Sequence, residues 1–138
     1  KVDASLAVQA DSHRLHQILI NLIDNAIKYG REAGHTSVQA SVLANGRIEI
    51  AVQDDGPGLA PDELQHASER FFRGRHARAG GSGLGLAIVQ AIARRHGTAL
   101  TLEDAPHLGG LRAALILQAW AGSVDPHGRD TRLAPESV

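Results

Sequence analysis

Cysteine and methionine are absent from this 138-residue chain, and aromatics are scarce, with one Trp, one Tyr and two Phe. Without cysteine there is no disulfide and no thiolate metal site. With so few aromatics, a core must be assembled from the Leu, Ile, Val and Ala that dominate the 43 % apolar content. Neither sign of charge prevails: 14 Lys and Arg stand against 15 Asp and Glu, a net charge of −1. That balance argues against a nucleic-acid surface. No apolar run reaches the roughly 20 residues of a membrane span, and no signal peptide opens the chain. One domain with a real core is expected, without direct membrane contact. The chain opens on Lys1 without a methionine, which points to a fragment of something longer.

Ser5 to Ala10 reads as a short strand ending at Asp11, a residue suited to cap a helix. Leu15, Ile18, Leu19, Leu22, Ile23, Ala26 and Ile27 then recur at helical spacing, with Gly30 as the stop. Val38, Ala40 and Val42 alternate, Asn45-Gly46 marks a hairpin turn, and Ile48, Ile50 and Val52 alternate again toward Asp54. Residues 60–83 lack a sustained period and predict a long mobile loop, with a short helix begun at Pro61-Asp62-Glu63. Leu84, Ile88, Val89 and Ile92 predict a second helix ended by Gly97. Thr98 to Glu103 and Leu111 to Gln118 predict two last strands, parted by Gly109-Gly110. Residues 1–120 are expected to form the domain and residues 121–138, rich in Asp, Pro, Gly and Arg, a disordered tail. Alternating helices and strands predict an α/β two-layer sandwich, its mixed, mostly antiparallel sheet covered on one face by helices.

Three short motifs stand in fixed order. The first is Asn21-Leu22-Ile23-Asp24-Asn25 with Lys28 and Tyr29; at about 100° per residue, Gln17, Asn21, Asn25 and Lys28 fall on one stripe beside the apolar face. Alone, such a stripe is a solvated helix face. Asn is a mediocre helix former, however, and two a turn apart on a boundary need a reason. A neutral amide oxygen suits Mg²⁺, which takes oxygen ligands together with phosphates and water. The second motif, Asp54-Asp55-Gly56-Pro57-Gly58, comes straight off a strand. It reads either as a plain turn or as a buried carboxylate accepting from an exocyclic amine such as that of adenine, with glycines letting backbone approach the base. The third, Gly81-Ser82-Gly83-Leu84-Gly85-Leu86, opens a helix and offers bare amides to an anion, or acts as a lid hinge. It has neither the Lys-Ser/Thr of a P-loop nor dinucleotide-fold spacing. The eight histidines are dispersed, and surface positions suit most of them.

Together these motifs resemble the N, G1 and G2 boxes of the ATP-binding domain of bacterial two-component sensor histidine kinases, of the Bergerat type, over roughly residues 5–118. The resemblance implies that Asn25 binds Mg²⁺, with Asn21 and Lys28 near the phosphates. It implies that Tyr29 packs by the adenine and that Asp54 accepts from its amino group, beside Gly56 and Gly58. Glu69-Arg70-Phe71-Phe72-Arg73 is similar to the F box, in which Arg73 reaches the γ-phosphate and Phe72 helps to anchor the lid. Gly81, Gly83, Leu84 and Gly85 belong to the phosphate-binding segment. The last box reads Gly109-Gly110-Leu111 instead of the usual Gly-Thr, so no hydroxyl is available from it.

Asn21 stands where related ATPases of the gyrase, chaperone and mismatch-repair type carry a Glu that activates water. An amide cannot act as a general base, so the resemblance implies phosphate transfer to a protein nucleophile over hydrolysis. The acceptor histidine is expected on a separate dimerisation domain upstream, with a response regulator beyond it, in the cytoplasmic part of an inner-membrane sensor. ATP and Mg²⁺ are the implied cofactors. The rivals are a Bergerat-type ATPase, an anti-sigma serine kinase and a non-catalytic nucleotide-sensing module; Asn21, the Phe-Phe-Arg box and the intact Asn25, Asp54 and glycines argue against them in turn.

Overall fold

Helix α1 (Ser12–Tyr29) forms as the apolar period predicts, and the computed structural model, which describes residues 8, 10–70, 72 and 83–119, shows how each end is set. At the start, the Asp11 carboxylate accepts from the amides of His13 and Arg14 at 2.9 and 3.1 Å, satisfying two otherwise orphan donors. At the end, Gly30 stops the helix for a reason different from the expected one. Its φ of −71° is ordinary backbone, not a left-handed cap. Glycine is needed because a Cβ there would overlap the Ala26 carbonyl oxygen.

Strands β1 (Thr36–Val42) and β2 (Ile48–Asp54) pair antiparallel as the predicted hairpin. Gly46 takes the turn at φ +80°, a conformation that costs glycine little. After β2 a single turn, α2 (Pro61–Leu64), begins with Pro near its start, where a missing N–H costs nothing. The segment then continues in turns to residue 70. It is not a loop free of the core: Ala67 is buried, and Phe72 packs against the core cluster. Helix α3 (Gly85–Arg95), strand β3 (Thr101–Asp104) and strand β4 (Leu111–Leu117) complete the described elements.

The strand expected from Thr98 begins three residues later, because α3 takes over the hydrogen bonds of its first residues. The amide of Thr98 donates to the Ala93 carbonyl at 3.0 Å, and that of Leu100 to Gln90 Oε1 at 2.8 Å. The last strand ends at Leu117, one residue before Gln118. Of the strand expected over Ser5 to Ala10, the structure shows an antiparallel bridge between Val8 and Ala119; residues 1–7 and the tail 121–138 lie outside the described residues.

The strand order is β1-β2-β4-β3, and every described pairing is antiparallel. Register decides which face carries the core. Ile48 stands opposite Leu117, Ile50 opposite Leu115 and Val52 opposite Ala113, and all six join Ile18, Leu22, Ala26, Val89 and Ile92 of the helices in one cluster. Each large side chain fully buried there contributes about 1.5–3 kcal/mol. On the other face Arg112 bridges Glu103 at 2.8 Å and also pairs with Glu49. The result is the expected two-layer sandwich, with helices on one face of the sheet. No helix of the described residues is long and apolar enough to cross a membrane.

Candidate nucleotide-binding site

The packing of α1 forces its polar stripe toward α3. Leu22 and Ala26 point into the core, so Asn25 and Asn21, further round the helix, are left half-buried at its flank. The Asn21 amide is oriented: its Nδ2 donates to the Gln17 carbonyl at 2.9 Å. Its Oδ1 is directed to the start of α3, 3.5 Å from where a Cβ would stand on Gly85. The first and third motifs therefore meet, though far apart in sequence. Lys28, one turn further along, is held at 2.8 Å by Asp24, with both side chains half exposed. That ion pair raises the ammonium pKa and is readily exchanged for another anion, since exposed pairs are weak.

Asp54 ends β2 with only 3 % of its surface exposed. Two backbone segments donate to it. The amide of Gly56 donates to Oδ1 at 2.9 Å, and the amide of Leu111, at the head of β4, donates to the same oxygen at 3.3 Å. Both bonds recorded for this carboxylate among the described residues fall on Oδ1. Burial pushes the Asp54 carboxyl up from its ordinary value, the two amides pull it back, and the adjacent Asp55 charge pushes it up again.

The missing side chains around Asp54 are as informative as those present. A Cβ on Gly56 would stand 2.5 Å from the Tyr29 carbonyl oxygen and 2.9 Å from the Gly30 Cα. This glycine lets the turn after β2 seat on the end of α1 beside the half-buried Tyr29. Gly58, at φ +67°, lies against the Gly110 carbonyl oxygen. A Cβ on Gly110 would overlap the Asp54 carboxylate and backbone oxygens. Asp55 faces the other way, accepting from the His35 amide at 2.9 Å. That bond, above all, holds its carboxyl below the ordinary value, and it ties down the link between α1 and β1.

Among the described residues no side chain caps the N-terminus of helix α3. Gly83 turns in at φ +70°, Leu84 at the cap provides no side-chain bond, and the first turn carries no acid. Its free amides and dipole favour an anion. Thus Asn21, Asn25, Tyr29, Asp54, Gly56, Gly58, Gly83, Leu84 and Gly85 lie on or beside the facing parts of α1, the end of β2 and the start of α3. Phe72 anchors its segment on the core; Arg73 and Gly81 lie outside the described residues. Sequence reasoning missed Gly30 as a packing residue and the Leu111 amide as a partner of Asp54. The second had a signal, since Gly109-Gly110-Leu111 is plainly visible; its contact with Asp54 depends on strand order.

The model of the histidine kinase-, DNA gyrase B- and HSP90-like ATPase family matches residues 10–120, and the chain belongs to that family. Within it, the chain is similar to sensor histidine kinases. It is 38 % identical to the signal transduction histidine-protein kinase/phosphatase MprB of Mycolicibacterium smegmatis over 92 % of its length and 26 % of the relative. It is 41 % identical to the sensor histidine kinase YkoH of Bacillus subtilis over 76 % of its length and 23 % of that protein. The chain thus spans about a quarter of these relatives. Among solved structures, a mycobacterial sensor histidine kinase MprB superposes with a TM-score of 0.74 at 36 % identity, covering 81 % of this chain and 76 % of that one. The ATP-binding domain of PrrB from Mycobacterium tuberculosis gives 0.61 at 33 % identity, with 79 % and 69 % covered. The chain is accordingly an ATP-binding catalytic domain of the sensor histidine kinase type.

Proposed function

We propose that this domain binds Mg-ATP between the amide flank of α1 and the start of α3 and presents the γ-phosphate to a histidine on a separate dimerisation and phosphoacceptor domain of the same kinase. The observation that carries this reading is the buried Asp54 carboxylate, held by two main-chain amides at the end of β2. Oδ1 serves the turn by accepting both amides, and the second oxygen of this carboxylate, 3 % exposed as a residue, is the acceptor offered to a base with an exocyclic amine. Asn25 supplies the hard oxygen that fits Mg²⁺, with Asn21 beside it, phosphates and water completing the shell. The ion would screen the charge of the phosphates. The protein's own part is positioning and electrostatics. Tyr29 packs by the base; the glycine-segment amides, with those of Gly81 and Gly83, receive phosphate oxygens, and Lys28 and Arg73 offset their charge. Transfer onward to a response regulator, on the cytoplasmic side of an inner-membrane sensor, completes the proposed role.

Asn21 cannot take a proton from water. The isolated domain should therefore bind ATP, hydrolyse it barely and leave itself unlabelled. Given the phosphoacceptor domain of its own kinase in trans, it should yield an acid-labile, base-stable phosphohistidine. Robust turnover by the domain alone, without phosphohistidine when the acceptor is supplied, would replace this reading with that of an ATPase.

A further inference from the structure

The Gly109-Gly110-Leu111 segment does more than connect β3 to β4. We propose that Gly110 and the Leu111 amide are positioning elements for base selection: they hold Asp54 Oδ1, so that Oδ2 is the oxygen presented to the purine 6-amino group. The inference rests on the nucleotide-binding reading above and extends it to a box that lacks a hydroxyl.

A carboxylate free to rotate about its last bond offers either oxygen in many directions, and an incoming amine must order it at an entropic cost. Here Oδ1 already takes two main-chain donors, Gly56 at 2.9 Å and Leu111 at 3.3 Å. The Gly56 donor is local, two residues away. The Leu111 donor comes from the neighbouring strand, and it reaches Asp54 only because residue 110 has no side chain. A Cβ there would meet Asp54 Oδ1 and the Asp54 carbonyl group. Gly109 provides the internal comparison. It sits at φ +83° with open space around its Cβ position, so substitution strains the backbone without reaching Asp54.

The positioning role has a signature that general weakening lacks, namely coupling to one substituent of the ligand. ATP is compared with purine riboside triphosphate, which lacks the 6-amino group, by calorimetry on the wild-type chain, Gly110→Ala and Gly109→Ala. A hydrogen bond from the amine to a charged acceptor predicts that wild type prefers ATP by roughly 10- to 150-fold. Gly110→Ala should lose most of that preference, while Gly109→Ala should lower Tm and keep the preference. Should Gly110→Ala fail to fold, an amide-to-ester replacement at Leu111 removes the donor without adding bulk, and it should reduce the preference in the same way. It should also move the acid limb of ATP binding to higher pH, because a bond that lowers the Asp54 pKa has gone.

A wild-type preference retained in Gly110→Ala or in the ester would overturn the positioning role and leave Asp54 as acceptor untouched. Absence of the preference in wild type would overturn both. Equal weakening of the two nucleotides would reduce Gly110 to a packing residue and overturn the proposal.

Discussion

Asn21 Oδ1 lies 3.5 Å from the position of a Cβ on Gly85, so the amide stripe of α1 and the first residue of α3 stand side by side. The Gly85 backbone is helical and the space beside it is an ordinary contact distance. Alanine is therefore sterically acceptable to the fold, and by helix propensity it should stabilise α3 by up to about 1 kcal/mol. The same methyl group stands where phosphates are proposed to lie. Gly85→Ala is expected to keep or raise Tm while weakening ATP binding, and Gly85→Val to weaken it further. Joint loss of Tm and affinity would mean that Gly85 serves packing alone.

Asn25 gives a sharper test, because its proposed ligand can be withdrawn. The side chain is half-buried on α1, and truncation leaves the core residues Leu22 and Ala26 in place. Asn25→Ala should weaken nucleotide binding in the presence of Mg²⁺ by an order of magnitude or more, and change metal-free binding little. Calorimetry with and without the ion decides it; equal losses in both conditions would remove Asn25 from the metal shell.

Local pattern carried most of the fold and less of the site. The period of α1, the Asn45-Gly46 turn and the alternation of β1 and β2 are set by neighbours in sequence, and all three appear where expected. Where a distant element competes for a backbone donor, pattern fails: Thr98 and Leu100 look like strand residues until Ala93 and Gln90 accept their amides. The site follows the same division. Residue type and spacing mark Asn21, Asn25, Asp54 and Gly85 as candidates. That Leu111 donates to Asp54 depends on β4 lying beside β2, which no local rule states. Gly30 is the helix stop that the sequence marks and a close-packing residue as well, since both roles ask for the same amino acid.

Leu22 lies under the stripe and calibrates how far the site depends on the core. It is 2 % exposed at the centre of the cluster formed by α1, α3 and the sheet. Leu22→Ala should cost about 2–5 kcal/mol, the transfer term plus the cavity left behind. Its urea midpoint should fall while the slope is unchanged. Because Asn21 and Asn25 flank this residue, nucleotide added in excess should recover part of the loss by mass action. No recovery in saturating Mg-ATP would show that the stripe no longer binds once its support is removed.

Asp54 ties ligand recognition to pH. Burial raises the carboxyl above its ordinary value of 3.8 in the folded chain, so between those two values the folded state holds more protons than the unfolded state. Stability then decreases as pH rises through that window and levels off above it. Asp54→Asn has no such titration, so its stability relative to wild type should improve as pH rises from about 4 toward neutrality. Binding runs the opposite way. The ionised carboxylate is the acceptor, so wild-type affinity for ATP should fall as pH drops through the raised pKa, above the range of an ordinary Asp. Asp54→Asn should bind ATP roughly 10- to 150-fold more weakly at neutral pH, with no acid limb in that window. It should also discriminate less against GTP, whose base carries a carbonyl where adenine has its amine. A folded Asp54→Asn with wild-type affinity, or a wild-type acid limb that persists in the mutant, would remove Asp54 from contact with the base.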